Sequence, residues 1–213
     1  NFYLSNFYIS ALLCLRCSPM SNINYRVWDI GLPRTGTTTF CEAVKLLGYS
    51  KVKHNPKYEH LQDLEAASDT GCVLYYKYLD FKFPNSKFVL ALRDLDSWLA
   101  SAEFIYTKYP ATDKDIAILR RMHIYESVTF DRAKFIEAYH RYHADVRRYF
   151  KDRPNDLLEM NIVDGEGWEK LCPFLELPIP TEAFPHRNKR TDTYPEPRAS
   201  TSLNTDPAIA LSK

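Results

Sequence analysis

The stretch Tyr25-Arg-Val-Trp-Asp-Ile-Gly31-Leu-Pro-Arg34-Thr-Gly36-Thr37-Thr38-Thr39 decides the fold. Its first half is a short β-prone run that ends in glycine. Its second half is a polar loop with the spacing G-x-x-x-x-G. Residues 40–47 behind it have helical composition and stop at Gly48, a C-cap signal. Strand, loop and helix in this order form the context in which such a spacing grips an oxyanion. Backbone N–H groups of the turn and of the helix N-terminus converge on one point and carry partial positive charge. Thr37, Thr38 and Thr39 add hydroxyl donors. A nucleoside-triphosphate loop of this spacing carries Lys directly after the second glycine, where it reaches the terminal phosphates. Here that position is Thr37, and the cation sits inside the loop as Arg34. The change argues against ordinary ATP or GTP hydrolysis.

Working outward, residues 51–54 read as a second short strand, and 58–67 and 72–83 as two helices. Pro84-Asn85 breaks the pattern. Residues 87–92 form the best strand in the chain, a nearly continuous apolar run of the kind buried in parallel sheets. Asp94 or Asp96 can cap the helix that follows, which runs to about residue 106. After a loop at 109–113, residues 114–127 and 131–150 read as two further helices, the second capped by Asp131. A late strand at 156–161 and a short helix at 165–175 complete the series. Strands alternate with helices, so the class is α/β with a mostly parallel sheet.

The loop resembles the 5′-phosphosulfate loop of PAPS-dependent sulfotransferases, where PAPS is 3′-phosphoadenosine 5′-phosphosulfate. The family's usual Pro-Lys-Ser-Gly-Thr-Thr is here Pro33-Arg34-Thr35-Gly36-Thr37-Thr38. The full form Gly-Leu-Pro-Arg-Thr-Gly-Thr is closest to a branch of small sulfotransferase-like proteins. In the family, an Arg at a strand end and a Ser eight residues later bind the donor's 3′-phosphate. Arg93 and Ser101 match that pair. The segments Asp69–Lys77, Phe83–Phe88 and 164–175 also resemble the branch, so the similarity runs from about Val27 to Asn188. The resemblance implies a P-loop NTPase-like three-layer sandwich with a central sheet of four to five strands. It also implies PAPS as donor, PAP as product, and an acceptor with a hydroxyl or amine. By position, Asp69 matches the branch's catalytic base. Two family features differ: the Trp that stacks on adenine after the second Thr is Thr39, and the basic C-terminal segment has only Arg187-Asn-Lys-Arg190 as a counterpart.

Sulfuryl transfer parallels phosphoryl transfer, an in-line displacement helped mainly by positioning and electrostatics. The implied roles are these: Pro33 to Thr39 hold the 5′-phosphosulfate, and Arg34 offsets charge on the departing oxygen. Asp69 is the first choice of base, with a helix N-cap as its ordinary alternative. His54 is the second choice, since its pKa suits proton transfer. His123, His140 and His143 fall on predicted helices and read as surface residues. His140 and His143 have metal-ligand spacing, but no third ligand accompanies them, and the chemistry requires no metal. The acceptor pocket is expected within 55–80 and 104–130, where Tyr58, Tyr75, Tyr76, Phe104, Tyr106 and Tyr125 permit a small aromatic or lipophilic alcohol. A carbohydrate or peptide acceptor stays open. The rival readings are a P-loop nucleotide kinase or NTPase and a catalytically inactive nucleotide-binding protein.

Composition narrows the partners. With 28 Lys and Arg against 27 Asp and Glu, the chain of 213 residues carries +1, which argues against a general grip on nucleic acid. The odd count of five cysteines, with no framework in their spacing, favours a reducing compartment, and the cytoplasm is the expected one. Cys14-Leu-Arg-Cys17 stands alone, without a second pair. The working domain is expected at 23–190, between an N-terminal extension (1–22) and a polar tail (191–213). Residues 2–15 are apolar but shorter than the roughly 20 residues of a spanning helix. Two readings of that end stand: part of a membrane anchor lying partly before residue 1, or sequence ahead of a natural start at Met20.

Overall fold

Strands β1 (Val27–Asp29), β2 (Val52–His54), β3 (Ala66–Ser68), β4 (Lys87–Ala91) and β5 (Leu157–Met160) form one parallel sheet in the order β2–β3–β1–β4–β5. Parallel neighbours need crossovers, and helices supply all but the one from β2 to β3, which runs through a 3₁₀ turn. The helices are α1 (Thr37–Leu46), α2 (Thr70–Lys82), α3 (Leu95–Lys108), α4 (Asp115–Tyr125), α5 (Arg132–Phe150) and, after β5, α6 (Trp168–Leu175). This computed structural model describes residues 23–111 and 115–186. The expected extension 1–22 with Cys14 and Cys17, the basic run Arg187–Arg190 and the tail 191–213 lie outside the described residues.

Side chains alternate along each strand, so the sheet feeds two cores. Val27, Val89 and Ala91 pack with Phe40 and Val44 of α1 and with Trp168 and Leu171 of α6. Trp28, Phe88 and Leu90 point the other way, onto Tyr76 and Leu79 of α2 and Val146 and Phe150 of α5. The result is the three-layer sandwich that the resemblance implies, around the parallel sheet that the alternation of elements predicts. A third cluster lies beyond the loops that leave the strands. It joins Leu32 to Trp98, Tyr125 and Phe135, with the Tyr125 and Phe135 rings stacked at 4.1 Å and 9°.

One element differs from expectation. Residues 58–67 read as a helix, but the chain makes a 3₁₀ turn over Tyr58–Asp63 and then strand β3. Ala66 and Ala67 favour helix intrinsically, and β propensity is set largely by packing. Here Ala66 is buried in one core and Ala67 in the other, between the neighbouring strands β2 and β1. Burial on both faces outweighs the local preference.

Strand β1 runs directly into the glycine loop, and the fit is close. A Cβ on Gly31 would lie 2.6 Å from the Ala91 carbonyl oxygen and 2.7 Å from Thr35 Oγ1. Only glycine lets the loop leave β1 while lying against the end of β4. Gly31→Ala is therefore expected to cost about 1–3 kcal/mol through overpacking. Urea unfolding should show a lower midpoint with an unchanged m-value.

Candidate functional site

Two loops meet at the carboxyl ends of the adjacent strands β1 and β4, the position where open α/β sheets bind ligands. The first is the glycine loop. Helix α1 begins on Gly36, held at φ 105°, and no side chain caps its N-terminus. Arg34 also has positive φ, at 80°, a conformation uncommon outside glycine. Its Nε donates to Ser101 Oγ at 3.1 Å. The second loop carries Arg93, which donates to the Arg34 carbonyl at 2.9 Å and to Ser97 Oγ at 2.9 Å. The structure thus brings Arg34, Arg93 and Ser101 together from three parts of the chain.

A second cluster sits at the same N-terminal end of α1, beside the ends of β2 and β3. His54 closes β2 and Asp69 follows β3, so the parallel pairing of these strands sets the two side by side. Thr37 Oγ1 lies 3.1 Å from both Asp69 Oδ2 and His54 Nε2, and those two atoms are 3.1 Å apart. Thr38 Oγ1 is 3.5 Å from the same nitrogen. Among the described residues all side-chain hydrogen bonds of His54 run through Nε2. Asp69 Oδ1 accepts from the Thr70 amide at 2.6 Å and hydroxyl at 2.7 Å, which caps α2. Burial works to raise the Asp69 carboxyl pKa, but the hydrogen bond and charge of His54, with the Thr70 groups, outweigh it and hold it at about 2. Burial pulls the His54 imidazole down, and Asp69 more than restores it, so its pKa stands above the ordinary 6.5. The carboxylate is shielded at 13% exposure, whereas the imidazole is 41% exposed and open to a reactant.

The loop after His54 is pinned from two sides. A Cβ on Gly71 would lie 2.4 Å from the Pro56 carbonyl oxygen, so glycine lets this loop lie on the start of α2. Arg120 on α4 donates to Asn55 Oδ1 at 2.9 Å. Of the six aromatics expected around an acceptor, Tyr76 and Tyr125 belong to the core and Tyr58 and Phe104 are exposed. Tyr106 lies where the charges of both Asp69 and Arg34 act on its hydroxyl, which donates to Tyr125 Oη at 3.2 Å.

A family model described as "Sulfotransferase domain" matches residues 57–193, more than half of the chain. The chain belongs to the sulfotransferase family. The matched region takes in Asp69, Arg93 and Ser101, and the glycine loop precedes it. A curated relative, "Ava biosynthesis cluster protein M" of Aspergillus versicolor, is 24% identical over 76% of this chain and 80% of that protein. Among the described residues of this sulfotransferase domain, no group of three or more His, Cys, Asp or Glu is placed to hold a metal ion. No described helix is long and apolar enough to cross a membrane.

Sequence reasoning passed over several residues of the site. Ser97, four residues after Arg93 and in the first turn of α3, is one of that guanidinium's partners. Asp29 is fully buried beneath the loop, where Oδ1 accepts from the Gly31 amide at 2.9 Å and Oδ2 has no partner. Burial, with the nearby Asp69 charge, pushes its carboxyl up to about 7 against the backbone amides that oppose the shift. His143, expected at the surface, is instead 3% exposed. It stands on the inner face of α5, three residues from the buried Val146, with Nδ1 2.8 Å from the Tyr139 carbonyl. His140 is exposed, as expected.

His143 and Asp29 give opposite pH dependences. Burial lowers the His143 imidazole from 6.5 to about 4, so the unfolded chain takes a proton first and stability falls as pH drops from 6.5 to 4. The Asp29 carboxyl is raised from 3.8, so the folded chain keeps a proton longer and stability falls as pH rises from about 4 to 7. The difference between wild type and His143→Leu isolates the first. Wild type should lose roughly 3 kcal/mol relative to that variant between pH 7 and pH 4, read from urea midpoints. A constant difference across that range would place His143 in a solvated site.

Proposed function

We propose that this sulfotransferase domain moves a sulfuryl group from PAPS to a hydroxyl or amine of a small acceptor, leaving PAP. The reading rests on one observation above all: the uncapped start of α1 and the two guanidinium groups of Arg34 and Arg93 meet at adjacent strand ends. That arrangement suits a ligand with several negative charges. Pro33 to Thr39 would hold the 5′-phosphosulfate, and Arg93 with Ser101 the 3′-phosphate. Arg34 reaches Ser101 from the loop and so stands between the two ends. Its planar, permanently charged fork offsets developing charge without giving up a proton. The name of the Aspergillus relative refers to a biosynthesis cluster, which suits a small-molecule acceptor. Cys41, Cys72 and Cys172 are free and buried, in keeping with the reducing cytoplasm.

For the proton we put His54 in the reacting position and Asp69 behind it. Supporting this order, Asp69 is occupied at both oxygens and is too acidic to serve as an efficient base near neutrality. It holds His54 Nε2, so Nδ1 is the nitrogen left to accept the acceptor's proton. In-line attack then needs the acceptor between Nδ1 and the loop.

Thermal-shift titration tests the donor: PAP and PAPS should stabilise the protein, and ATP with Mg²⁺ should not. The reverse pattern would make the chain a nucleotide kinase or NTPase. Arg34→Ala and Arg93→Ala should each weaken PAP binding roughly 10- to 100-fold, the loss expected for a charged hydrogen bond. Once an acceptor is found by a labelled-sulfate transfer screen, His54→Ala should lower kcat roughly 10²- to 10⁴-fold. The ascending limb of kcat/KM against pH should lie above 6.5 and move down in Asp69→Asn, because the carboxylate that raises the imidazole is gone. Full turnover by His54→Ala together with an inactive Asp69→Asn would give the base role to Asp69.

A further inference from the structure

An anion-binding loop has a problem that its amides do not solve. Each peptide that offers an N–H also carries a carbonyl, and a carbonyl turned towards the ligand repels it. Every carbonyl must also find a donor when buried. In the glycine loop the donors can be named. The Ile30 carbonyl accepts from Tyr142 Oη at 2.6 Å. The Leu32 carbonyl accepts from Thr35 Oγ1 at 2.8 Å, and the Pro33 carbonyl from Trp98 Nε1 at 2.9 Å. The Arg34 carbonyl accepts from Arg93, and the Arg93 carbonyl accepts in turn from Tyr139 Oη at 2.7 Å. Further along, the Thr37 carbonyl accepts from Ser68 Oγ at 2.8 Å.

Three of these donors are aromatic side chains on α3 and α5, two helices outside the strand–loop–helix unit. Trp98 is fully buried, and its ring packs 5.2 Å from that of Tyr139. Tyr139 and Tyr142 stand three apart on α5 and so share a face. We propose that Trp98, Tyr139 and Tyr142 are positioning residues that preorganise the anion loop: they draw the carbonyls of Pro33, Arg93 and Ile30 away from the ligand side. A trans peptide carries its C=O and N–H on opposite sides, and all peptides among the described residues are trans. Tying the Pro33 carbonyl to Trp98 therefore turns the Arg34 N–H the other way. The peptide from Ile30 to Gly31 is gripped at both ends, by Tyr142 at its oxygen and Asp29 at its nitrogen. Tyr139 acts one step further out, since it fixes the backbone that aims Arg93.

The proposal rests on the donor reading for its ligand but not for its mechanics, and two readouts separate the two. The first is hydrogen exchange of the free protein over residues 30–38. The second is PAP affinity by titration calorimetry. The variants are Tyr142→Phe and Tyr139→Phe, which remove one hydroxyl each and keep the ring. Tyr149→Phe is the control: it lies on the same helix, but its hydroxyl bonds to Asp80 Oδ2 at 2.7 Å, away from the loop. Tyr142→Phe should speed exchange across 30–38 and weaken PAP binding roughly 3- to 10-fold, the worth of one hydrogen bond. Tyr139→Phe should weaken PAP binding by a similar factor. Tyr149→Phe should change neither readout, even if it lowers the unfolding midpoint as much. Unchanged loop exchange in Tyr142→Phe overturns the proposal whatever the ligand is. So does faster exchange with wild-type PAP affinity in both variants, or an equal loss of affinity in Tyr149→Phe. Faster exchange confined to Tyr142→Phe, in a protein that binds no PAP at all, would uphold the preorganised loop and sink only the donor reading.

Discussion

The first turn of α1 has no side-chain cap, and much of the structure is arranged around that fact. Three other helices show the contrast. Asp69, Asp94 and Asp131 each accept a backbone N–H at the starts of α2, α3 and α5. Helix α1 begins instead on Gly36 in a left-handed conformation, and the adjoining Thr37 hydroxyl bonds elsewhere, to Asp69 and His54. A helix start of this kind favours an anion. The loop before it must therefore be stiff, must approach β4 closely at Gly31, and must pass Gly36 against Ile162, where a Cβ would lie 2.9 Å from a methyl group. Packing on both sides of the sheet supplies the stiffness.

Backbone strain is present at this site, as it is at Asn85, Glu126 and Glu176 elsewhere. Arg34 and Asp69 hold positive φ, at 80° and 77°, and such residues persist only where their surroundings over-determine them. For Arg34 the determinants are the carbonyl bond from Arg93 and the side-chain bond to Ser101. For Asp69 they are the cap on α2 and the pair with His54. The cap on α2 and the pair with His54 use different oxygens of Asp69. Oδ1 makes the cap and Oδ2 meets His54 and Thr37.

How much of this was legible follows from the range of each signal. The strand–loop–helix unit is local, and its glycine spacing and cap residues are written side by side. Arg93 was legible because β4 is a strong apolar run that ends on it. Strand β3 was hidden because two alanines and a serine carry no strand signal, and only burial between two neighbours makes them one. The pairing of His54 with Asp69 depends on β2 lying beside β3, a fact of strand order that no local window holds. Tyr139, Tyr142 and Trp98 read as ordinary core aromatics. Their rings do pack in the core, but the polar tips find loop carbonyls, and nothing in periodicity distinguishes a tip that has a partner. His143 is hidden for the complementary reason: a histidine on a polar-looking helix reads as solvated, while the inward stripe of α5 also passes through Phe135, Ala138 and Val146.

Thr37 links the two halves of the site. Its hydroxyl has one proton, which it gives to Asp69 Oδ2 while Nε2 of His54 lies equally near. It is also the first residue of α1, where the proposed donor's phosphate would sit. A phosphate that takes the Thr37 proton takes it from Asp69, and the carboxylate then has only Nε2–H of His54 opposite that oxygen. The hydrogen bond between them gains by the change, since a charged acceptor with fewer competing donors binds the remaining one more strongly. On this logic an occupied loop fixes the imidazole more firmly in the tautomer that leaves Nδ1 free. The arrangement needs no moving lid to relate donor to base, only a hydroxyl with one proton placed between a helix start and a carboxylate.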